Sequence, residues 1–399
     1  MTDNTKKSNN LFDFATSELS QDAFFCWSLN WLSVKEDTED PYYKYGKAML
    51  DLFLGEHKKD IYKEVKVKKQ FNKIDVLVLF KDNQDNQYAL IIEDKTNTSE
   101  HNEQIKKYRE KLNEALSKNQ DIGYGNLPGN QIYTAYVKTG IMYSQDLFMK
   151  NTVNTVVDFD RLYGLLEEYC KEQKGMISSD IFLDYYHYLK EINDKNCRIE
   201  EMIDEYNYVE ALKTEYGRYC FLKKIFYEEN GKMDLNCKDK TDEADMYVET
   251  IKSGNNNGKV PYAEYTIWNA KHNDKMAKTD QDEYHSIFWR IDSPNSKADE
   301  EIDEPYISLR HYDEYTKVNE NTRKRKKDNY TPLREHADKY PNRTCFKQIG
   351  KRYNYIESDL IFIPMSNLQN KDFKEIKKLV RDITEYFISY CKENQSIFR

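Results

Sequence analysis

No apolar run in this chain is long enough to cross a bilayer. The longest, such as Val76–Phe80, are strand-sized, against the roughly 20 residues that a spanning helix needs. The first ten residues, MTDNTKKSNN, offer no apolar segment and do not read as a signal peptide. Cysteine is sparse: seven residues, at 26, 170, 197, 220, 237, 345 and 391, with no CxxC and no close Cys/His spacing. A zinc site and a disulfide framework are therefore disfavoured, and reduced thiols in a cytoplasmic protein are expected. The seven histidines show no HxH or HExxH spacing, and there is no GxxxxGK[ST] run to suggest nucleotide hydrolysis. No repeat at a solenoid period is present. Positive charge is not in excess either. The 61 Lys and Arg against 70 Asp and Glu leave a net charge of -9, which argues against coating a polyanion by bulk electrostatics.

What the chain does have is aromatic. A charged fraction of 33% and a mean hydropathy of -0.94 would hint at disorder, but 33 Tyr and 18 Phe can bury a sizeable core. A length of 399 residues suggests two domains with a helical spacer. Residues 11–32 read as one long amphipathic helix, with Phe12, Ala15, Leu19, Phe24, Trp27 and Trp31 near helical spacing; 42–59 read as a second helix. Three strand-like runs follow, 61–71, 71–80 and 88–97, and predict an antiparallel meander. Next come a helix over 99–118 with Ser99 as a candidate N-cap, a Gly/Pro-rich loop over 121–130, strands over 131–139 and 154–160, and a helix over 161–173. Residues 178–230 read as helical, and 233–399 as α+β, with aromatic strands over 260–270, 283–292, 305–312 and 353–365 and a final helix over 373–393. The expected domains are thus 1–175, a helical bridge 176–232, and 233–399.

The most informative residues are Asp75, in FNKIDVLVLF, and Glu93 and Lys95, in YALIIEDKTN. Strand side chains alternate, so Glu93 and Lys95 share one face and Asp94 takes the other. Two carboxylates on paired strands can hold a divalent metal, Asp94 can add its backbone carbonyl, and Lys95 can orient a metal-bound water. A surface salt bridge is the ordinary alternative for Glu-x-Lys. The apolar flanks, Ile74, Val76, Leu77, Ile91 and Ile92, make an uncompensated acid costly and favour the metal.

The pattern resembles the PD-(D/E)xK nuclease superfamily, with IDVLVLF carrying the first acid and IIEDK the E-x-K. The eponymous proline is absent; Ile74 stands before Asp75. Gln104 and Tyr108 form the Q-x-x-x-Y of RecB-like members, and Glu18, in SELSQDAF, matches the helix acid that completes the metal site directly or through water. The resemblance covers roughly residues 10–165 and implies a restriction-endonuclease-like α/β fold, a mixed sheet flanked by helices. It also implies Mg²⁺ or Mn²⁺ and hydrolysis of a nucleic-acid backbone, with DNA preferred and RNA open. A role in prokaryotic antiphage defence or DNA processing is suggested on the same ground. The implied catalytic set is Asp75, Glu93, Lys95 and Glu18, and the metal set is Asp75, Glu93, the Asp94 carbonyl and Glu18. Gln104, Tyr108, Lys73 and Lys107 would contact substrate.

Other residues compete with these. Glu64 rivals Glu18 as the additional acid. Asp22, four residues after Glu18, could assist or be a solvated carboxylate, and Gln21 could contact the site, though it reads first as a helix-surface amide. Lys66, Lys68, Lys69, Lys106 and Arg109 could form a phosphate rim or a solvated face, and His101 could line the cleft, though it reads first as helix-cap surface. The basic run 323–327 beside Tyr330 is the nucleic-acid candidate of the second half, with a disordered surface loop as the equal alternative. Trp268 and Trp289 could stack bases, but at strand spacing they read more readily as core. A catalytically silent or partner-activated module on the same fold, or a homo-oligomer, is the alternative reading.

Overall fold

The computed structural model describes residues 9–35, 37–97, 104–118, 127–143, 146, 148–171, 177–226, 248–254, 260–269, 284–292, 304–314, 320–341 and 357–394. The chain divides into two compact units, Met1–Asp194 and Lys195–Arg399.

The first unit is built on a five-stranded sheet. Its elements are helices α1 (Glu18–Val34) and α2 (Pro41–Leu54), strands β1 (Lys63–Phe71), β2 (Ile74–Lys81) and β3 (Gln87–Lys95), helix α3 (Gln104–Ser117), strands β4 (Ile132–Lys138) and β5 (Thr155–Asp158), and helix α4 (Phe159–Lys171). Helix α5 (Asp180–Asp204) crosses the division between the units. The sheet order is β1-β2-β3-β4-β5: the expected meander is antiparallel, and β3, β4 and β5 are parallel. A parallel pair needs a crossover, and α3 lies in the one between β3 and β4.

Alternation along the strands splits the core in two. Val76, Val78, Leu90, Ile92, Ala135 and Val137 pack against α1 and α2 through Phe25, Leu29, Leu50 and Phe53. Leu77, Leu79, Ala89 and Ile91 face the other way, onto Tyr108, Leu112, Ala115 and Leu116 of α3.

The first helix begins later than its periodicity predicts. Asn10 caps a separate 3-10 turn, Leu11–Asp13, and Ser17 is extended, so α1 starts at Glu18. Leu19, expected inside, is exposed, while Phe24, Phe25, Ser28, Leu29 and Leu32 are buried. Helix α2 stops at Leu54 rather than 59, because Gly55 takes φ 58° and reverses the chain. Ser99, His101, Asn102 and Glu103 lie outside the described residues.

The second unit holds a five-stranded antiparallel sheet, ordered β10-β9-β8-β7-β6, from β6 (Val248–Gly254), β7 (Val260–Asn269), β8 (Tyr284–Asp292), β9 (Tyr306–Glu314) and β10 (Glu357–Pro364). Strand β6 is an addition to the sequence expectation; VETIKSG lacks the apolar alternation that marks its neighbours. Short helices α6 (Tyr208–Ala211) and α7 (Glu215–Phe226) precede the sheet. The basic run 323–327 lies in helix α8 (Glu320–Ala337), which buries Leu333 and Ala337 in its C-terminal half and exposes Lys324. Helix α9 (Phe373–Glu393) opens with a capping box between Asp372 and Glu375 and buries Ile376, Val380, Ile383 and Phe387. Trp289 is a core residue, its indole N–H donating to Thr384 at 2.9 Å. Trp268 lies in β7.

Candidate active site

The β2–β3 register pairs Val76 with Ile92. One step further sets Asp75 beside Glu93, both on the α3 face. The Asp94 backbone N–H donates to Asp75 Oδ2 at 3.2 Å, which draws this carboxylate onto the end of β3. Glu93 is fully buried, and neither of its oxygens accepts a well-aligned hydrogen bond among the described residues. Lys95 Nζ lies 2.5 Å from Glu93 Oε1, a close ion pair once Glu93 is ionised. Burial, and then the charge on Asp75, push the Glu93 carboxyl up to about 8. Burial alone would lower the Lys95 ammonium, but Glu93, Glu18 and Asp75 outweigh it and raise it.

Glu18 closes the site from the first turn of α1. It accepts the Thr96 backbone N–H at 3.3 Å and stands 3.9 Å from Lys95 Nζ. Its rival Glu64 sits at the other end of β1, exposed and paired with Lys81 at 2.6 Å, remote from Asp75 along β2. Tyr108 is buried beneath the site, and burial, Glu93 and Asp75 raise its hydroxyl. Gln104 Nε2 lies 3.5 Å from Tyr108 Oη, so the Q-x-x-x-Y pair shares one helical face. Lys73, in the β1–β2 turn, and Lys106 and Lys107, on α3, are exposed. Lys69 donates to the Leu19 carbonyl at 2.7 Å, and Lys68 lies 5.1 Å over the Phe71 ring. Arg109 is spent on structure, donating to Thr134 and Asn154 at 3.2 Å each.

Gln21 and Asp22 are not surface groups: they are 3% and 1% exposed. Gln21 donates to Asp94 Oδ1 at 2.6 Å, and its carbonyl oxygen accepts from Thr139 and Tyr185 at 3.0 Å each. Burial and then Asp75 push Asp22 up to about 6, and burial with Asp22 raises Asp94 well above the carboxylate range. The 3–4 residue spacing of 21, 24, 25, 28 and 32 carried this signal. Gln70 was not singled out in the sequence, yet its side-chain amide reaches both Asp22 and Asp75.

The ends of β3 and β4 are locked together. Thr139 N–H donates to the Lys95 carbonyl at 3.2 Å. A Cβ on Gly140 would meet the Thr96 carbonyl oxygen at 2.1 Å, so only glycine allows this approach. Beside Lys95, the buried Lys138 pairs with Asp146 at 2.5 Å, and Asp146 also accepts from Tyr136 Oη and the Tyr143 backbone.

Among the described residues, no group of three or more His, Cys, Asp and Glu is placed to share an ion. Two carboxylates and a main-chain carbonyl are a smaller donor set, all hard oxygen, that suits Mg²⁺ or Mn²⁺. The buried Glu93 carboxyl, next to a second acid, fits such a cation.

A mixed sheet flanked by helices, with an acid on one strand and acid-x-lysine on the next, is the restriction-endonuclease-like α/β class. Residues 10–187 match the family model of the PD-(D/E)XK nuclease superfamily. Neither the curated proteins nor the solved structures gave a match. The domain therefore has a nuclease fold, which implies a nucleic-acid substrate, and nucleases of this superfamily generally use divalent metals. No helix among the described residues is long and apolar enough to cross a membrane.

Proposed function

We propose that the chain is a metal-dependent nuclease that hydrolyses phosphodiester bonds, with DNA as preferred substrate and Mg²⁺ or Mn²⁺ as the ion. The observation that carries this reading is the fully buried Glu93 carboxyl, set beside Asp75 and 2.5 Å from Lys95. Asp75 and Glu93 hold the ion, with the Asp94 carbonyl and Glu18 completing its surroundings. A bound divalent ion acidifies water and neutralises charge on the phosphate. Lys95 orients the nucleophile and stabilises developing charge. Gln104 and Tyr108 position the substrate strand, and Lys73 and Lys107 contact its phosphates. The preference for DNA, a cytoplasmic setting and a role in antiphage defence or DNA processing follow the family resemblance. The net charge of -9 favours a protein partner or a second copy that helps to hold substrate.

The test is to incubate wild type, Asp75→Ala and Lys95→Ala with plasmid, linear and single-stranded DNA, and with RNA, in Mg²⁺ or EDTA. Cleavage is expected only with the ion, strongest on DNA, and reduced at least about 100-fold by either substitution. Equal cleavage by Asp75→Ala rejects the assignment.

A further inference from the structure

Strand β1 leaves its sheet in an unusual way. Asn72 and Lys73 both have positive φ, as a two-residue hairpin turn requires, but so does Gln70 (φ 54°), which stands within the strand. A non-glycine residue in this region is strained and persists only where its surroundings impose it. The β1–β2 register, Lys69 with Val76 and Phe71 with Ile74, sets Gln70 across from Asp75.

Gln70 is solvent-exposed, yet its amide points inward. Nε2 lies 3.1 Å from Asp22 Oδ2 and 3.2 Å from Asp75 Oδ1, so its two hydrogens serve two carboxylates. The other Asp75 oxygen is held by the Asp94 backbone N–H. Asp75 is thereby gripped from the strands on both sides, by β1 through Gln70 and by β3 through Asp94. Asp22, buried on α1, anchors the far side of the amide. An amide suits this place because it donates without charge. An ammonium would neutralise Asp75, and a carboxylate would repel both acids.

We propose that Gln70 is a positioning residue for the metal-binding carboxylate: it ties Asp75 to Asp22, so that Asp75 meets the ion already aimed. The proposal rests on the nuclease reading and deepens it. Gln70→Gly is the informative variant, since it removes the amide while easing the positive φ. The full-length chain is titrated with Mn²⁺ by calorimetry, melted, and assayed for cleavage at saturating Mn²⁺. Gln70→Gly is expected to melt no lower than wild type but to bind Mn²⁺ about 3- to 10-fold more weakly. Its kcat should fall while KM for nucleic acid stays within about twofold. Gln70→Asn, which tolerates this φ and keeps an amide, should fall between the two. Unchanged Mn²⁺ affinity and kcat in Gln70→Gly overturn the positioning role alone. A wild type that takes up no Mn²⁺, indistinguishable from Asp75→Ala, overturns this proposal and the nuclease reading together.

Discussion

Glu93 is cut off from water, and its carboxyl holds a proton up to about 8, whereas in the unfolded chain it titrates near 4.5. Between these values the native state binds more protons than the unfolded one, so metal-free stability falls as pH rises. The loss is at most about 1.4 kcal/mol per pH unit for one group. Asp22, pushed up to about 6, adds to the same slope over its lower part. Urea unfolding in EDTA from pH 5 to 8.5 should show this decline, and Glu93→Gln should flatten it between pH 6 and 8. An unaltered slope in that variant would mean that the group is not protonated in the native state. The three-residue signature itself was legible in the sequence, because an acid amid Ile, Val and Leu demands compensation. The network behind it was only partly so. Gln21 and Asp22 looked like a helix surface, since polar side chains on an amphipathic helix usually face water. Gln70 was invisible until the hairpin register set it across from Asp75.

At the scale of elements, the site depends on how closely β3 and β4 end together. Gly140→Ala drives a methyl group into the Thr96 carbonyl, and either the chain after β4 or the residues after Lys95 must move. The variant should lose about 1–3 kcal/mol of stability, read by thermal melting, together with metal affinity read by calorimetry. The Lys138–Asp146 pair stiffens the same strand end. Asp146→Ala leaves a buried ammonium unpaired and should cost about 3–5 kcal/mol. Lys138→Met with Asp146→Leu should recover only the part due to the ammonium, since the Tyr136 hydroxyl and the Tyr143 N–H still lose their acceptor. Strands of the first unit were readable from alternation, and helix α9 from its apolar stripe. The start of α1 was not. Phe12 and Leu19 keep helical spacing across Ser17, and periodicity alone does not register a cap that breaks the chain between them. The polar β6 escaped for the opposite reason, having no alternation to read.

For the whole molecule, the acidic balance sets the expectation for substrate binding. Lys95→Ala, mixed with a labelled DNA duplex in EDTA, should bind weakly at physiological salt. A Kd above about 1 μM is expected from anisotropy, with a shallow dependence on salt because few phosphates are neutralised. Tight binding with a steep slope would point instead to a large basic groove. The basic run of α8 is the element to substitute in that case. Composition indicated that a core is present. It could not give the path of residues 233–399, where polar segments interrupt the strands and local pattern carries little information about pairing.

The two lysines at the ends of β3 and β4 have a practical consequence. Lys95 and Lys138 are register partners, 7% and 1% exposed, each held by its own acid. An amine shielded in this way is a poor nucleophile toward acylating reagents. In a labelling time course followed by peptide mass spectrometry, these two should be among the last lysines tagged. Their late modification would report the integrity of this strand pair without any substrate in the tube.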